Sequence, residues 1–440
     1  MRDYQFGNLI CSLRKNKNLS QQELAQLVGT TNKAVSKWEN GISKPSVAKI
    51  QKLSQILDCP IEDLLSAQKT DNPKQITKIV ITGGPCAGKS TAMTRIQNHF
   101  EKLGYSVIFI TESATELILS GTNPQTLKNN YDFEQSILKL QLAKEKIFEE
   151  TALSLNNDKV LLVCDRGTLD CKAYLTQAEF DSILRTLNLT ESKLRDNYDA
   201  VFHLITAALG AEEYYTLSNN KARFETPKEA IQKDKNVIKA WTGHPHLRII
   251  DNSTDFDSKI NRLLTEISLF LGEPVPYEIE RKFLIKMPNT KLLEKDNLCT
   301  KVEIIQTYLI SEPGSETRIR QRGSNGSFTY TITTKEKISN LKRIEKEERI
   351  SESEYLEYLL KADTSKRQIR KTRYCTVYKN QYFEIDIYPF SKDKAIMEIE
   401  LSDENQEVII PEFIEIIKEV TNDENYKNYS LASINNISLF

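Results

Sequence analysis

The stretch Gly83-Gly-Pro-Cys-Ala-Gly-Lys-Ser90 restricts this chain more than any other feature. It fits GxxxxGK[ST], in which glycines let consecutive backbone N–H groups converge on phosphate oxygens while the next helix offers its positive end. Such a turn needs a buried strand before it, and residues 78–82 are apolar enough to be one. Gly83, Gly84, Pro85, Cys86, Ala87, Gly88, Lys89, Ser90 and Thr91 then form a cradle for a nucleoside triphosphate, ATP or GTP. Lys89 would charge the β- and γ-phosphates, and Ser90 would give its hydroxyl to Mg²⁺. Apolar runs at 106–111, 160–165, 200–205 and 247–250 alternate with helical periodicity, so residues 77–272 read as an α/β domain with a parallel sheet. Asp165 and Glu112 end two of these strands, at the edge where the cleft opens. Asp165 is expected near Mg²⁺ or substrate, and Glu112 is expected to bind a substrate hydroxyl or act as a base. The polar segment 212–234 reads as a lid that carries Arg223 over a transferred phosphoryl group.

At 440 residues the chain predicts about three domains. Residues 1–68 carry nine Lys/Arg and six Asp/Glu. Ser20-Gln-Gln-Glu23 is a capping box, and Gly29 ends the helix it opens. A second short helix fits residues 32–39, and a third begins after Pro45. Two short helices with a tight glycine turn form a helix-turn-helix, which makes the first domain all-α. Residues 69–76 are polar and read as a linker. The segments Leu19-Ser-Gln-Gln-Glu-Leu-Ala25 and Ala34-Val-Ser-Lys-Trp-Glu-Asn-Gly41, followed by Pro45, resemble the Cro/C1-type (XRE) family. That resemblance implies a double-stranded DNA operator, with Gln21 on phosphate and Thr31, Asn32, Lys33, Ser36 and Lys37 in the major groove. A homodimer on half-sites about 34 Å apart is the expected state.

Residues 277–440 alternate charged and apolar positions with period two. Glu278, Glu280 and Lys282 share one strand face, and so do Arg318/Arg320, Glu345/Glu347, Lys371/Arg373, Glu384/Asp386 and Glu398/Glu400. One such strand would be a solvated face; six suggest carboxylates sorted for metal and cations sorted for oligophosphate. The series Glu278-x-Glu280-x-Lys282, Gln306-x-Tyr308, Arg318-x-Arg320, Thr333-x-Lys335, Arg343-x-Glu345-x-Glu347, Lys371-x-Arg373, Glu384-x-Asp386, Glu398-x-Glu400 and Tyr426-x-Asn428 resembles the CYTH (triphosphate tunnel metalloenzyme) family. The resemblance implies an α+β domain with an antiparallel eight-stranded tunnel barrel that acts on an inorganic or organic triphosphate with Mg²⁺ or Mn²⁺. It further implies metal at Glu278, Glu280, Glu345, Glu347, Asp386, Glu398 and Glu400, and phosphates at Arg318, Arg320, Lys335, Arg343, Lys371 and Arg373. Lys282 and Tyr308 resemble a water-activating pair. The middle block, through its cradle, Asp165-Arg-Gly167 and Trp241-x-x-His244-Pro245, resembles AAA-type P-loop proteins related to ribosylnicotinamide kinase domains.

Seven scattered cysteines without a CxxC pair suggest a reducing compartment, and no apolar run reaches membrane-span length. His244 and His246, which flank Pro245, are expected to have a structural or loop role. Together these readings predict a multidomain cytoplasmic DNA-binding regulator with two phosphate sites. The alternatives are a kinase–phosphohydrolase with an autoregulatory helix-turn-helix, or a sensor that binds nucleotide and polyphosphate without turnover.

Overall fold

A computed structural model of the chain describes residues 9–11, 13–15, 17, 19–39, 43, 45, 47–59, 64, 74–124, 126–215, 226–273, 279–295, 299–311, 315–337, 343–401 and 406–433. They fall into two compact units, 1–76 with 155–159, and 77–154 with 160–440. The P-loop block and the C-terminal block therefore share one unit.

In the first unit, helices α1 (Gln21–Val28), α2 (Asn32–Glu39) and α3 (Val47–Leu57) enclose a core that includes Ile10, Leu24, Val28, Val35, Trp38, Ile50 and Leu53. Ser20 caps α1 through the Glu23 N–H, and Gly29 leaves it in the left-handed conformation at φ 75°. The Arg14 guanidinium is buried against both Glu39 carboxylate oxygens, at 2.5 and 2.9 Å.

The P-loop block runs β1 (Gln75–Gly83), α4 (Lys89–Lys102), β2 (Ser106–Ile110), α5 (Ser113–Leu119), α6 (Asn130–Leu153), β3 (Lys159–Asp165), α7 (Gln177–Leu187), α8 (Glu191–Arg195), β4 (Ala200–Leu204), α9 (Pro227–Trp241), β5 (Leu247–Ile250) and α10 (Phe256–Phe270). The parallel sheet has the order β2-β3-β1-β4-β5, so the cradle strand is central and buried on both faces. That position explains its near-continuous apolar run. The crevice at the carboxyl ends of β1 and β3 is where such sheets bind ligands.

The C-terminal block contains β6 (Ile279–Lys286), α11 (Thr290–Lys295), β7 (Cys299–Leu309), β8 (Ser315–Ser324), β9 (Ser327–Lys337), β10 (Arg343–Ile350), α12 (Glu352–Leu359), β11 (Ile369–Tyr378), β12 (Gln381–Ile387), β13 (Lys394–Leu401), β14 (Ile416–Glu419) and α13 (Asn428–Leu431). Its antiparallel sheet has nine strands, ordered β10-β9-β8-β7-β11-β12-β13-β6-β14, where eight were expected. The ninth is the short β14, which adds to the outer edge of β6 through a bulged register. One face carries Phe283, Ile285, Phe383, Ile385, Ala395, Met397 and Ile399 as an apolar core. The opposite face carries the charged doublets, so this sheet is dry on one side and ionic on the other.

Candidate functional sites

The cradle follows β1 as the motif requires. Cys86 and Gly88 both take positive φ, 57° and 89°, and α4 begins at Lys89. The turn is fastened from behind by Asp234 of α9, which is 2 % exposed. Its Oδ1 accepts the Gly84 N–H at 2.8 Å and the Thr206 N–H at 3.2 Å, and lies 3.1 Å from His203 Nε2. A Cβ on Gly84 would sit 2.6 Å from that oxygen, so glycine is required by packing. Lys259 of α10 donates to the carbonyls of Ala87 and Ile205 and to Asn252, and burial lowers its pKa to about 8. Ser90 and Thr91 are exposed at the start of α4.

Around the cradle mouth, charge is tightly organised. Arg166, at φ 68°, donates from Nε to Glu112 and from Nη1 to Asp170 at 3.0 Å. Asp170 also accepts from Thr82 Oγ1 and Trp241 Nε1, both at 2.6 Å. Burial would raise the Glu112 pKa, but Arg166 and Lys89 pull it down to about 2, so Glu112 is an anion at neutral pH. Asp165 shows the opposite balance. Burial pushes its pKa up despite Lys89, and its Oδ1 is buried without a hydrogen-bond partner. An orphaned carboxylate oxygen near Lys89 suits a Mg²⁺ ion or its bound water, which is the role expected of it. Burial and the neighbouring Arg166 hold the Lys89 pKa below its usual value.

Two expectations about this block change. The segment 212–234 is not one lid: residues 227–234 belong to α9, whose Asp234 is buried under the cradle. Capping by Thr226 and Pro227 starts a helix there, where high polarity had suggested a loop. Arg223 lies outside the described residues. His244 is fully buried and donates from Nε2 to the Tyr198 carbonyl at 3.0 Å, as expected of a structural histidine.

On the ionic face of the nine-stranded sheet, the register sets carboxylates beside one another as well as beside a lysine. Glu398 stands opposite Lys282 on one side and Glu384 on the other, and Glu400 opposite Glu280. Lys282 Nζ reaches Glu398 at 2.8 Å and Glu280 at 3.3 Å. Arg373 pairs with Glu384, with Asp386 (Nε–Oδ1 2.6 Å) and with Glu398 (2.9 Å). Asp386 is fully buried and also receives Lys371, so both its oxygens are committed to cations. Burial, then Glu398, raises the Glu280 pKa to about 7. Glu398 is held well below its usual range because Lys282, Lys371 and Arg373 outweigh burial.

The cationic half lies on β7, β8 and β9. Arg318 stands opposite Tyr308 and Thr333, and Arg320 opposite Gln306 and Thr331. Arg320 Nε and Thr331 Oγ1 are both buried without hydrogen-bond partners. Burial pulls the Arg320 pKa down, and Arg318, Arg373 and Arg322 add repulsion against the pull of Glu347. A donor and a hydroxyl left unmet in a cluster of guanidinium groups form a place for a phosphate oxygen. Glu347 accepts from Thr333 Oγ1 at 2.8 Å and lies 3.9 Å from Arg320. Lys335 stands opposite Glu345 and Glu316 across its two neighbouring strands. Tyr308 Oη accepts from Gln306 Nε2 at 2.6 Å, while Lys282 lies among carboxylates, so the two residues have different neighbours. Glu278 and the side chains of Arg343 and Glu345 lie outside the described residues.

The carboxylates present are hard oxygen donors of the kind that suits Mg²⁺ or Mn²⁺. No three of them converge on one metal-sized point among the described residues. Glu280, Glu398 and Glu400 are each already paired with a cation, Lys282, Arg373 or Arg248.

Sequence reasoning missed several of these residues. Arg322 continues the Arg318-x-Arg320 alternation, yet it turns to the P-loop block, where Nη1 meets Asp196 at 3.0 Å. Arg248 of β5 pairs with Glu400, and Arg349 with Asp199 at 2.7 Å. The extra arginine at matching parity was visible; its partner in another block was not. In α1 and α2, Thr31, Asn32, Lys33 and Lys37 are exposed and Ser36 is half-buried, while Gln21 donates to Glu39 at 2.8 Å.

Comparison with known proteins agrees with the first two blocks. Residues 12–64 match the model of a helix-turn-helix family, and residues 78–259 match the model of an AAA domain. The HTH-type transcriptional activator BcrR of Enterococcus faecalis is 31 % identical over 17 % of this chain and 40 % of its own. Antitoxin PezA of Streptococcus pneumoniae is 36 % identical over 15 % of this chain and 42 % of its own. The chain thus spans about two fifths of the length of these curated relatives. The solved structure of the inorganic triphosphatase NE1496 is 29 % identical, covers 36 % of this chain and 94 % of that one, and has a TM-score of 0.26. The chain therefore carries a helix-turn-helix segment followed by an AAA-type P-loop segment.

Proposed function

We propose that this protein is a cytoplasmic DNA-binding regulator that binds ATP or GTP with Mg²⁺ at the cradle and hydrolyses a triphosphate compound on the ionic sheet face. The observation that carries the reading is the unmet Arg320 Nε, facing the unmet Thr331 hydroxyl inside a cluster of arginines. Burying that much like charge is unfavourable without an anion to receive it. Asp165 Oδ1, buried without a hydrogen-bond partner, supports the same reading for Mg²⁺ or its bound water at the cradle. The helix-turn-helix would bind an operator as a homodimer, with Thr31, Asn32, Lys33, Ser36 and Lys37 toward the bases. No helix among the described residues is long and apolar enough to cross a membrane.

The test is a phosphate-release screen over tripolyphosphate, ATP, GTP and thiamine triphosphate with Mg²⁺ or Mn²⁺. Release from one compound, lost in Glu280→Ala and kept in Lys89→Ala, would assign turnover to the sheet face. No release from any of them would overturn the hydrolase reading. The pairing of Glu280, Glu384, Asp386, Glu398 and Glu400 with cations favours a second reading, in which both sites bind without turnover. Ligand binding without release would select it. Equal operator affinity with and without nucleotide or tripolyphosphate would overturn regulation by these ligands.

A further inference from the structure

The cradle mouth has two sides of opposite character. On the β3 side stand Arg166, Glu112 and Asp170, joined in ion pairs. On the side of β4 and β5 stand two loops, 205–211 and 251–255, and the first is fixed to the cradle. The Thr206 hydroxyl donates to the Pro85 carbonyl, and the Ala207 N–H donates to the Cys86 carbonyl at 3.3 Å. Asn252 ties the second loop to the first, because its Nδ2 donates to the Thr206 and Leu209 carbonyls at 2.8 and 2.7 Å. Phe256 follows as the first residue of α10, and a Cβ added to Gly88 would lie 2.5 Å from its ring. The ring therefore lies directly on the glycine that precedes Lys89. It is nevertheless 43 % exposed, and Leu209 on the neighbouring loop is 41 % exposed. Large apolar side chains left open beside a cluster of polar ligand-binding groups are the mark of a small-molecule site.

We infer that Phe256 is the platform on which the base of the cradle's nucleotide stacks, and that this base is held by its face and not read by its edge. The inference rests on the reading that the cradle binds a nucleoside triphosphate. With phosphates on the cradle N–H groups, the nucleoside must leave on one side or the other, and the ionic β3 side offers a purine no apolar face. Stacking on an aromatic ring suits any base, because every base has a π face. Reading an edge takes polar side chains that are free to turn to the base, and those of the second loop are engaged within the protein. Asp251 Oδ1 accepts the Ser253 N–H and Arg262, at 3.1 and 2.8 Å. Asn252 Oδ1 accepts Lys259 at 2.6 Å, and the two Asp255 oxygens accept the Ser258 N–H and hydroxyl at 3.0 and 2.6 Å. ATP and GTP should therefore bind with similar affinity. A site built to hydrogen-bond its substrate rejects an analogue lacking the partner group by about ten-thousandfold.

The experiment titrates the full-length protein with ATP, GTP and ribose triphosphate, which lacks a base, by calorimetry in the presence of Mg²⁺. The binding lost in Lys89→Ala is the cradle's share for each ligand. Wild type should bind ATP and GTP alike, and both about tenfold more tightly than ribose triphosphate, the worth of one stacked base. Phe256→Leu keeps an apolar side chain against Gly88 without the ring, and its ATP and GTP affinities should fall to that of ribose triphosphate. Phe256→Trp should restore the difference, and its added indole fluorescence should be quenched by ATP but not by ribose triphosphate. Damage to the cradle lowers all three ligands together, so the ratio between them separates a platform from packing. An equal fall for all three in Phe256→Leu makes the ring a support for Gly88 and overturns the platform. An unchanged advantage of ATP over ribose triphosphate in Phe256→Leu also overturns it and leaves the nucleotide reading standing. A preference between ATP and GTP beyond about a hundredfold overturns binding by the face alone. No Lys89-dependent binding of either nucleotide to wild type overturns the nucleotide reading and the platform with it.

Discussion

The two phosphate sites reach similar chemistry by opposite means. The cradle itself is made of backbone, fastened from behind by one buried carboxylate, Asp234. The ionic face is made of side chains, and its charges neutralise one another across neighbouring strands. Two buried carboxyls condense the contrast. Asp386 is fully buried but receives Arg373 and Lys371, which hold its pKa below the usual range against burial. Glu134 of α6 is 5 % exposed with no hydrogen bond or ion pair among the described residues, and burial raises its pKa to about 8. A backbone site is ready for its ligand as it stands. A side-chain site must first give up the pairs it already has.

The largest expected effect tests that difference directly. Lys89→Ala removes a cation whose place is fixed by the cradle, and nucleotide affinity should fall about a thousandfold, the worth of two charge-assisted hydrogen bonds. Arg320→Ala should leave nucleotide affinity unchanged and weaken tripolyphosphate binding by a smaller factor, since Arg318 and Arg373 remain beside it. Calorimetric titration of each variant with each ligand checks both. Equal losses at the two sites would break the comparison.

Legibility follows the same division. The cradle was readable because its chemistry is local: eight consecutive residues, one strand before and one helix after. All five parallel strands fall within two or three residues of the apolar runs that predict them, because central strands must be apolar on both faces. The period-two doublets placed the charged face of the second sheet correctly, yet said nothing of which charge meets which. That depends on register, and register brought Arg373 to three carboxylates and Lys371 to Asp386. Asp234, 150 residues from Gly84, left no local signal at all, and polarity assigned its segment to a lid. Arg248 and Arg322 escaped for a related reason: their partners lie in another block, and no spacing along the chain encodes docking.

The fastening of the cradle gives the next expectation. Asp234→Ala would leave the Gly84 and Thr206 N–H groups and His203 buried without their acceptor. Each unmet donor costs about 1–3 kcal/mol, so stability should fall by about 3 kcal/mol and nucleotide affinity should fall with it. Denaturant unfolding reads the first and calorimetry the second. Asp234→Asn, which keeps one carbonyl oxygen for the two N–H groups, should recover part of both. A cradle that keeps full affinity in Asp234→Ala would show that its backbone geometry needs no support from α9.

The last effect concerns Glu134 and is read through pH. Its folded pKa of about 8 lies above the ordinary carboxyl value of 4.5. Below pH 4.5 both the folded and unfolded forms are protonated, and the group costs nothing. As pH rises toward 8 the unfolded chain releases the proton while the folded chain keeps it, so stability is lost across that window. Glu134→Gln removes this penalty. Its melting temperature should match wild type near pH 4.5 and exceed it progressively up to pH 8.5, and one pKa unit of the shift is worth about 1.4 kcal/mol. The same substitution made at Asp386 should act in the opposite sense. That carboxylate is held ionised by Arg373 and Lys371, and an amide there leaves two buried cations short of charge at neutral pH. If Glu134→Gln destabilises at pH 8 as Asp386→Asn does, Glu134 has a cationic partner in solution, and the contrast between a carboxyl left alone and a carboxyl held by ion pairs fails.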